Sequence, residues 1–123
     1  SDADLVVARH RGRALAAQLG FSSSELALVA TTISELARNI VRYAKRGEIV
    51  MRLVENGTLR GITIVARDEG PGISDITLAM QPGYSTSGGL GLGLPGVRRI
   101  MDEFEIASEV SKGTIVTVTK WKR

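Results

Sequence analysis

The sequence predicts an α/β two-layer sandwich, a mostly antiparallel mixed sheet covered on one face by helices. Three observations predict it. Strand-forming residues come in adjacent pairs joined by tight turns, at 48–67 and 104–121, as hairpins do. Helical patterns are grouped before and between those pairs instead of alternating with single strands. The 123 residues, 43% of them hydrophobic, suit one compact domain over 1–123 and leave no room for two.

Asp2 or Asp4 can cap a first helix that runs to about Leu19 and stops at Gly20. His10 lies in that helix among arginines, and nothing around it supports a phosphoacceptor over an exposed helical histidine. Ser22 and Glu25 then form a capping box, with Ser22 as the cap and Glu25 reaching back. The second helix runs to about Lys45 or Arg46, where basic residues suit the negative end of the dipole, and Gly47 ends it. On its wheel Leu26, Val29, Ile33, Leu36, Ala37, Ile40, Tyr43 and Ala44 share one arc.

Residues 48–55 are rich in Ile, Val, Met and Leu, and Asn56-Gly57 is a strong hairpin signal. In the returning strand, 58–67, Ile62, Ile64 and Ala66 face one way, Thr63 and Val65 the other. Ser74 can cap a short helix to about Met80, and residues 81–92 form a polar, glycine-laden loop. Pro95 fits the first turn of a helix continuing through Val97, Ile100 and Met101. A strand at 104–110, the turn Ser111-Lys112-Gly113 and a β-branched strand at 114–121 close the chain.

Composition excludes several classes of function. Without cysteine there are no disulfides or thiolate metal sites, and one histidine excludes a multi-histidine centre. No apolar run approaches a membrane span and no signal-peptide pattern opens the chain, so a cytoplasmic protein without a membrane partner is expected. The net charge of +3 tolerates an anionic ligand. Its sources are scattered over Arg9, Arg11, Arg13, Lys45, Arg46, Arg98, Arg99 and the Lys120–Arg123 end, which does not argue for nucleic acid.

Three stretches carry the chemistry. Glu35 and Asn39 are four residues apart, one helical turn, at the border of the apolar arc. Alone, they read equally as a surface pair with Arg38 balancing Glu35. Asp68-Glu69-Gly70-Pro71-Gly72-Ile73 follows a strand and, alone, reads as a tight turn. Its functional reading is a backbone against which a flat ligand lies while Asp68 accepts a hydrogen bond from an exocyclic amine. Gly88, Gly89, Gly91, Gly93 and Gly96 crowd a helix entrance, where backbone N–H groups and the positive end of the dipole face phosphates. Gly91, Gly93 and Gly96 match G-x-G-x-x-G literally, but no strand precedes them and no parallel crossover follows, so the dinucleotide-binding reading fails. No Walker loop is present, because no glycine is followed by Lys and then Ser or Thr.

In order and spacing, these stretches resemble the GHKL superfamily, which comprises gyrase B, MutL, the sensor histidine kinases and the small anti-sigma-type serine/threonine kinases. Glu35-Leu36-Ala37-Arg38-Asn39 looks like the N box, Asp68 to Gly72 the first glycine box, Gly89 to Gly93 the second, and Gly113-Thr114 the closing Gly-Thr element. The resemblance covers almost the whole chain. In the short lid at 84–96 and the run at 101–108 it lies nearest the switch kinases of bacterial stressosomes. At the N-terminus it departs, since that group commonly has a strand before the first helix and this chain begins almost directly at a helix.

The resemblance implies a Bergerat fold and a set of roles. ATP and Mg²⁺ are the implied cofactors, with Asn39 coordinating the Mg²⁺ that bridges the phosphates. Asp68 accepts from the adenine amino group, Gly72 lies close to the ring, Gly70 and Ile73 are further nucleotide-binding residues, and Thr114 assists through water. The lid backbone of Ser87, Gly88, Gly89, Leu90, Gly91, Leu92 and Gly93 wraps the phosphates. Glu35 is the implied general base for an attacking hydroxyl. The implied activity is an ATP-dependent protein serine/threonine kinase acting on STAS-domain scaffold and antagonist proteins of general stress signalling. On release it would activate a PP2C-type phosphatase by binding it. The alternatives are the catalytic ATP-binding domain of a histidine kinase, an ATP-driven clamp, and a nucleotide-gated binding module. Glu35 argues against the last, because a pure binding site needs no base there.

Overall fold

The computed structural model describes residues 2–43, 47–70, 72 and 93–122. Its elements run α1 (Asp2–Gln18), α2 (Ser23–Tyr43), β1 (Gly47–Asn56), β2 (Leu59–Asp68), α3 (Gly93–Ile100), β3 (Glu103–Glu109) and β4 (Gly113–Lys122). The short helix expected at 74–80, the loop expected at 81–92 and the expected end of the second helix at 44–46 lie outside the described residues. No described helix is long and apolar enough to cross a membrane.

The four strands form one sheet in the order β1-β2-β4-β3, and every pairing is antiparallel. Both hairpins are present as the sequence predicts. The last strand enters the interior of the sheet and leaves β3 at an edge. Composition favours this: β4 buries Val116 and Val118, while β3 carries the exposed Glu103, Glu105 and Glu109, charges that suit an unpaired edge.

Alternation puts Ile62, Ile64 and Ala66 of β2 and Val116 and Val118 of β4 on one face. Against it pack Ala16 of α1, Val29, Ile33 and Leu36 of α2, and Leu94 and Val97 of α3, joined by Leu19, Phe21 and Met101. Burying each large aliphatic side chain contributes roughly 1.5–3 kcal/mol, so this layer dominates the stability. The helix wheel is accurate where it is described: Val29, Ile33, Leu36 and Ala37 are buried, with Leu26 and Ile40 packed at the margin.

Local chemistry sets the helix ends. Gly20 adopts φ +79° after α1, a left-handed stop. Asp2 opens α1 and Asp4 falls inside it, so neither stands before the first helical residue. Ser22 Oγ accepts from the Glu25 N–H at 3.1 Å, and Glu25 Oε1 accepts from the Ser22 N–H at 2.8 Å, which completes the capping box. That N–H bond is the main reason the Glu25 carboxyl is held below its ordinary range. A depressed folded pKa means the contribution is full above the ordinary carboxylate range and fades as pH falls through the folded value. Ser22→Ala is expected to cost about 0.5–2 kcal/mol in urea unfolding at neutral pH. An unchanged midpoint would remove the cap from the account of α2.

Gly47, expected to end the second helix at 44–46 outside the described residues, is the first residue of β1, paired with Asp68. A Cβ there would collide with Ile40 Cγ2 and lie 2.9 Å from the Arg67 carbonyl oxygen, so glycine lets α2 close onto the strand. At the opposite end of the sheet, Trp121 fastens β4 to the start of β3. Its backbone N–H donates to Asp102 Oδ2 at 2.7 Å and its indole N–H to Glu103 Oε2 at 2.6 Å. Lys120 Nζ donates to the Ile100 carbonyl at 3.3 Å, capping the last turn of α3.

Candidate functional site

Two groups of the expected residues are each brought together, one on α2 and one across the sheet. On α2, Glu35 is buried, 6% exposed, although the sequence places it only at the border of the apolar arc. Both carboxylate oxygens have donors. Arg38 Nη1 donates to Oε1 at 3.0 Å, and the Gly93 N–H, at the start of α3, donates to Oε2 at 3.4 Å. A buried carboxylate needs such partners, and the positive end of α3 adds to their effect. Gly93 has φ +66°, a turn into the helix that glycine adopts without strain. Glu35 therefore stands where the described chain resumes at 93, beside the start of the helix that the glycine-rich stretch leads into. Asn39, one turn further along α2, is half-buried, and its side chain has no hydrogen-bond partner among the described residues.

The second group is a row across three strands. Asp68 of β2 is the Cα partner of Thr114 of β4, and Thr114 is the partner of Ser108 of β3. All three lie on the helix-covered face by alternation. Thr114 is 6% exposed. Asp68 Oδ1 accepts from the Gly70 N–H at 2.8 Å, which folds the chain into a turn after β2. The Ser108 and Thr114 hydroxyl oxygens are 2.7 Å apart, and Ser108 Oγ donates to the Gly113 carbonyl at 3.2 Å.

Two glycines lock this end of the sheet. At Gly72, φ +79°, a Cβ would collide with the Glu109 carbonyl oxygen. At Gly113, φ +125°, it would collide with the Asp68 carbonyl oxygen and lie 3.1 Å from Glu69 Cα. The turn after β2 and the β3–β4 turn therefore interlock backbone to backbone. The sequence assigns Gly72 to close approach by a ligand and Gly113 to a turn; the protein's own backbone requires glycine at both.

The two groups meet through Ile40. It follows Asn39 on α2 and lies against Gly47, which is the partner of Asp68. Ile73, Ser87, Gly88, Gly89, Leu90, Gly91 and Leu92 lie outside the described residues. The sequence reading missed Ser108. Its signal was available: in a hairpin turning at 111–113, position 108 faces 114 and shares its side of the sheet.

Residues 1–120 match the family described as the histidine kinase-like ATPase domain. The chain is 50% identical over 120 residues to the serine/threonine-protein kinase RsbT of Bacillus subtilis, covering 98% of this chain and 90% of that protein. It is 37% identical over 112 residues to the anti-sigma F factor of Caldanaerobacter subterraneus, covering 88% of this chain and 78% of that factor. In structure it is similar to the mycobacterial sensor histidine kinase MprB, with TM-score 0.59 and 18% identity over 80% of this chain and 72% of that one. That last likeness is one of fold alone. With its antiparallel sheet under helices, its Glu35–Asn39 helix and its Asp68–Thr114 row, the chain belongs to the GHKL superfamily as a histidine kinase-like ATPase domain.

Proposed function

We propose that this protein serine/threonine kinase uses ATP and Mg²⁺ to phosphorylate serine or threonine on STAS-domain scaffold and antagonist proteins in the bacterial cytoplasm. On release it activates a PP2C-type phosphatase by binding it, so one chain serves as an enzyme in one complex and as an activator in another. The observation that carries this reading is the buried Glu35 carboxylate, one turn from Asn39 and hydrogen-bonded to the start of α3. A carboxylate there suits a general base for a substrate hydroxyl, while the row at Asp68 suits an adenine amine.

The residues fit a magnesium ion held mainly by phosphates and water. No group of three His, Cys, Asp or Glu among the described residues could hold a metal; the family resemblance assigns the Asn39 amide oxygen as the protein's contribution. Bound there, Mg²⁺ would neutralise charge on the phosphates. The chain's own share is to aim Glu35, bind the base at Asp68 and Thr114, and close backbone N–H groups on the phosphates.

Incubation with labelled ATP, Mg²⁺ and candidate STAS proteins tests the proposal. Label on a STAS serine or threonine is expected. Release of free phosphate without label on protein would make the chain an ATPase, and no turnover at all would leave a binding module.

A further inference from the structure

The row Asp68–Thr114–Ser108 contains one residue with no part in the roles above. Ser108 has one hydroxyl hydrogen, and so does Thr114. The Gly113 carbonyl, 3.2 Å from Ser108 Oγ, can only accept. One orientation satisfies both bonds: Ser108 donates to Gly113, and Thr114 donates across the 2.7 Å contact to Ser108. The Thr114 oxygen then turns only lone pairs toward its cross-strand partner Asp68. Ionised Asp68 is itself acceptor-only.

We propose that Ser108 is a positioning and specificity-determining residue: by holding Thr114 as a hydrogen-bond acceptor, it makes this end of the sheet read an amine-bearing base and reject a base with a carbonyl at the same place. The inference rests on the reading that a nucleotide base sits at Asp68. Without Ser108 the Thr114 hydroxyl can rotate and donate, and a 6-oxopurine is no longer penalised by it. The backbone supports this placement. Gly113 is pinned against Asp68 and Glu69, so the carbonyl that orients Ser108 cannot drift away from the row.

The test is calorimetric titration of ATP and inosine triphosphate into the parent, Ser108→Ala, Ser108→Thr, Thr114→Val and the Ser108→Ala/Thr114→Val double variant. The parent is expected to prefer ATP. Ser108→Ala should narrow that preference about 3- to 10-fold, the effect of one neutral hydrogen bond, mainly by gaining affinity for inosine triphosphate. Ser108→Thr should keep the parent ratio, and in the Thr114→Val background Ser108→Ala should change nothing further. If Ser108→Ala does not fold by circular dichroism, Ser108→Cys replaces it with the same expectation. A parent that prefers ATP while the Ser108 variants leave the ratio unchanged overturns the role of Ser108 alone. An equal shift with and without Thr114 overturns it too, since Ser108 would then not act through Thr114. A parent that binds both nucleotides alike overturns this inference together with the placement of the base at Asp68.

Discussion

Replacing Glu35 by glutamine is expected to lower phosphoryl transfer to the protein substrate by ~10²–10⁴-fold while ATP affinity stays near the parent value. Glutamine keeps the size of the side chain and one oxygen. That oxygen can still accept from Gly93 or Arg38, so the link between α2 and the start of α3 survives. What is lost is the group that can take a proton from a hydroxyl. Docking of the protein substrate should persist, because it depends on surface and not on proton transfer, and the variant should therefore accumulate kinase–substrate complex. Single-turnover transfer at saturating ATP isolates the step from binding. Transfer at the parent rate would reduce Glu35 to a buried ion-pair partner of Arg38, with positioning alone responsible for catalysis.

The second large effect is expected from Gly113→Ala. Two independent costs act together. At φ +125° an L side chain is strained, a penalty of about 1–3 kcal/mol. The new methyl also meets the Asp68 carbonyl oxygen, a backbone atom that cannot swing aside as a side chain would. Overpacking of this kind costs about 1–3 kcal/mol, so a total loss of roughly 2–6 kcal/mol is expected in urea unfolding. Relief would come from pushing Asp68 outward, so nucleotide affinity should fall as well. Gly57→Ala is the control. Its φ is +64°, but nothing lies within 4 Å of the added methyl, so only the backbone penalty of about 1 kcal/mol applies. If the two variants unfold at the same denaturant concentration, the interlocking of the two turns contributes nothing.

Features set by neighbouring residues were legible in the sequence. The capping box at Ser22 and Glu25, the Asn56-Gly57 turn and the alternation of Ile62, Ile64 and Ala66 each involve contacts a few residues apart. Their chemistry is local, and the structure follows it. Features requiring distant segments to meet were not legible. Nothing near β4 announces that it pairs with β2 as well as with β3. A helical wheel reports the angle of Glu35 about α2, but not that Gly93 donates to it, so its burial was underestimated. In the sequence Gly47 reads as a helix stop, and no local pattern shows what else is asked of it. The demand on it comes from Ile40 pressing onto the strand. Ser108 escaped attention because a lone serine in a strand carries no pattern of its own. It becomes informative only when the register sets it opposite Thr114.

The strand order has a consequence for how the protein comes into being. A chain leaving the ribosome completes the β1–β2 hairpin first, with one edge of β2 destined for a strand that is translated last. Until β4 arrives, that edge offers an unpaired ladder of N–H and C=O groups and the apolar face of Ile62 and Ile64 to other nascent chains. Closing it requires a contact of long sequence separation, the slow kind in folding. Thr114 reaches Asp68 in that same closing event, so the half of the site assigned to the base does not exist during synthesis. A chain released early or stalled short of β4 carries Glu35 and Asn39 but lacks the strand that completes the proposed adenine site.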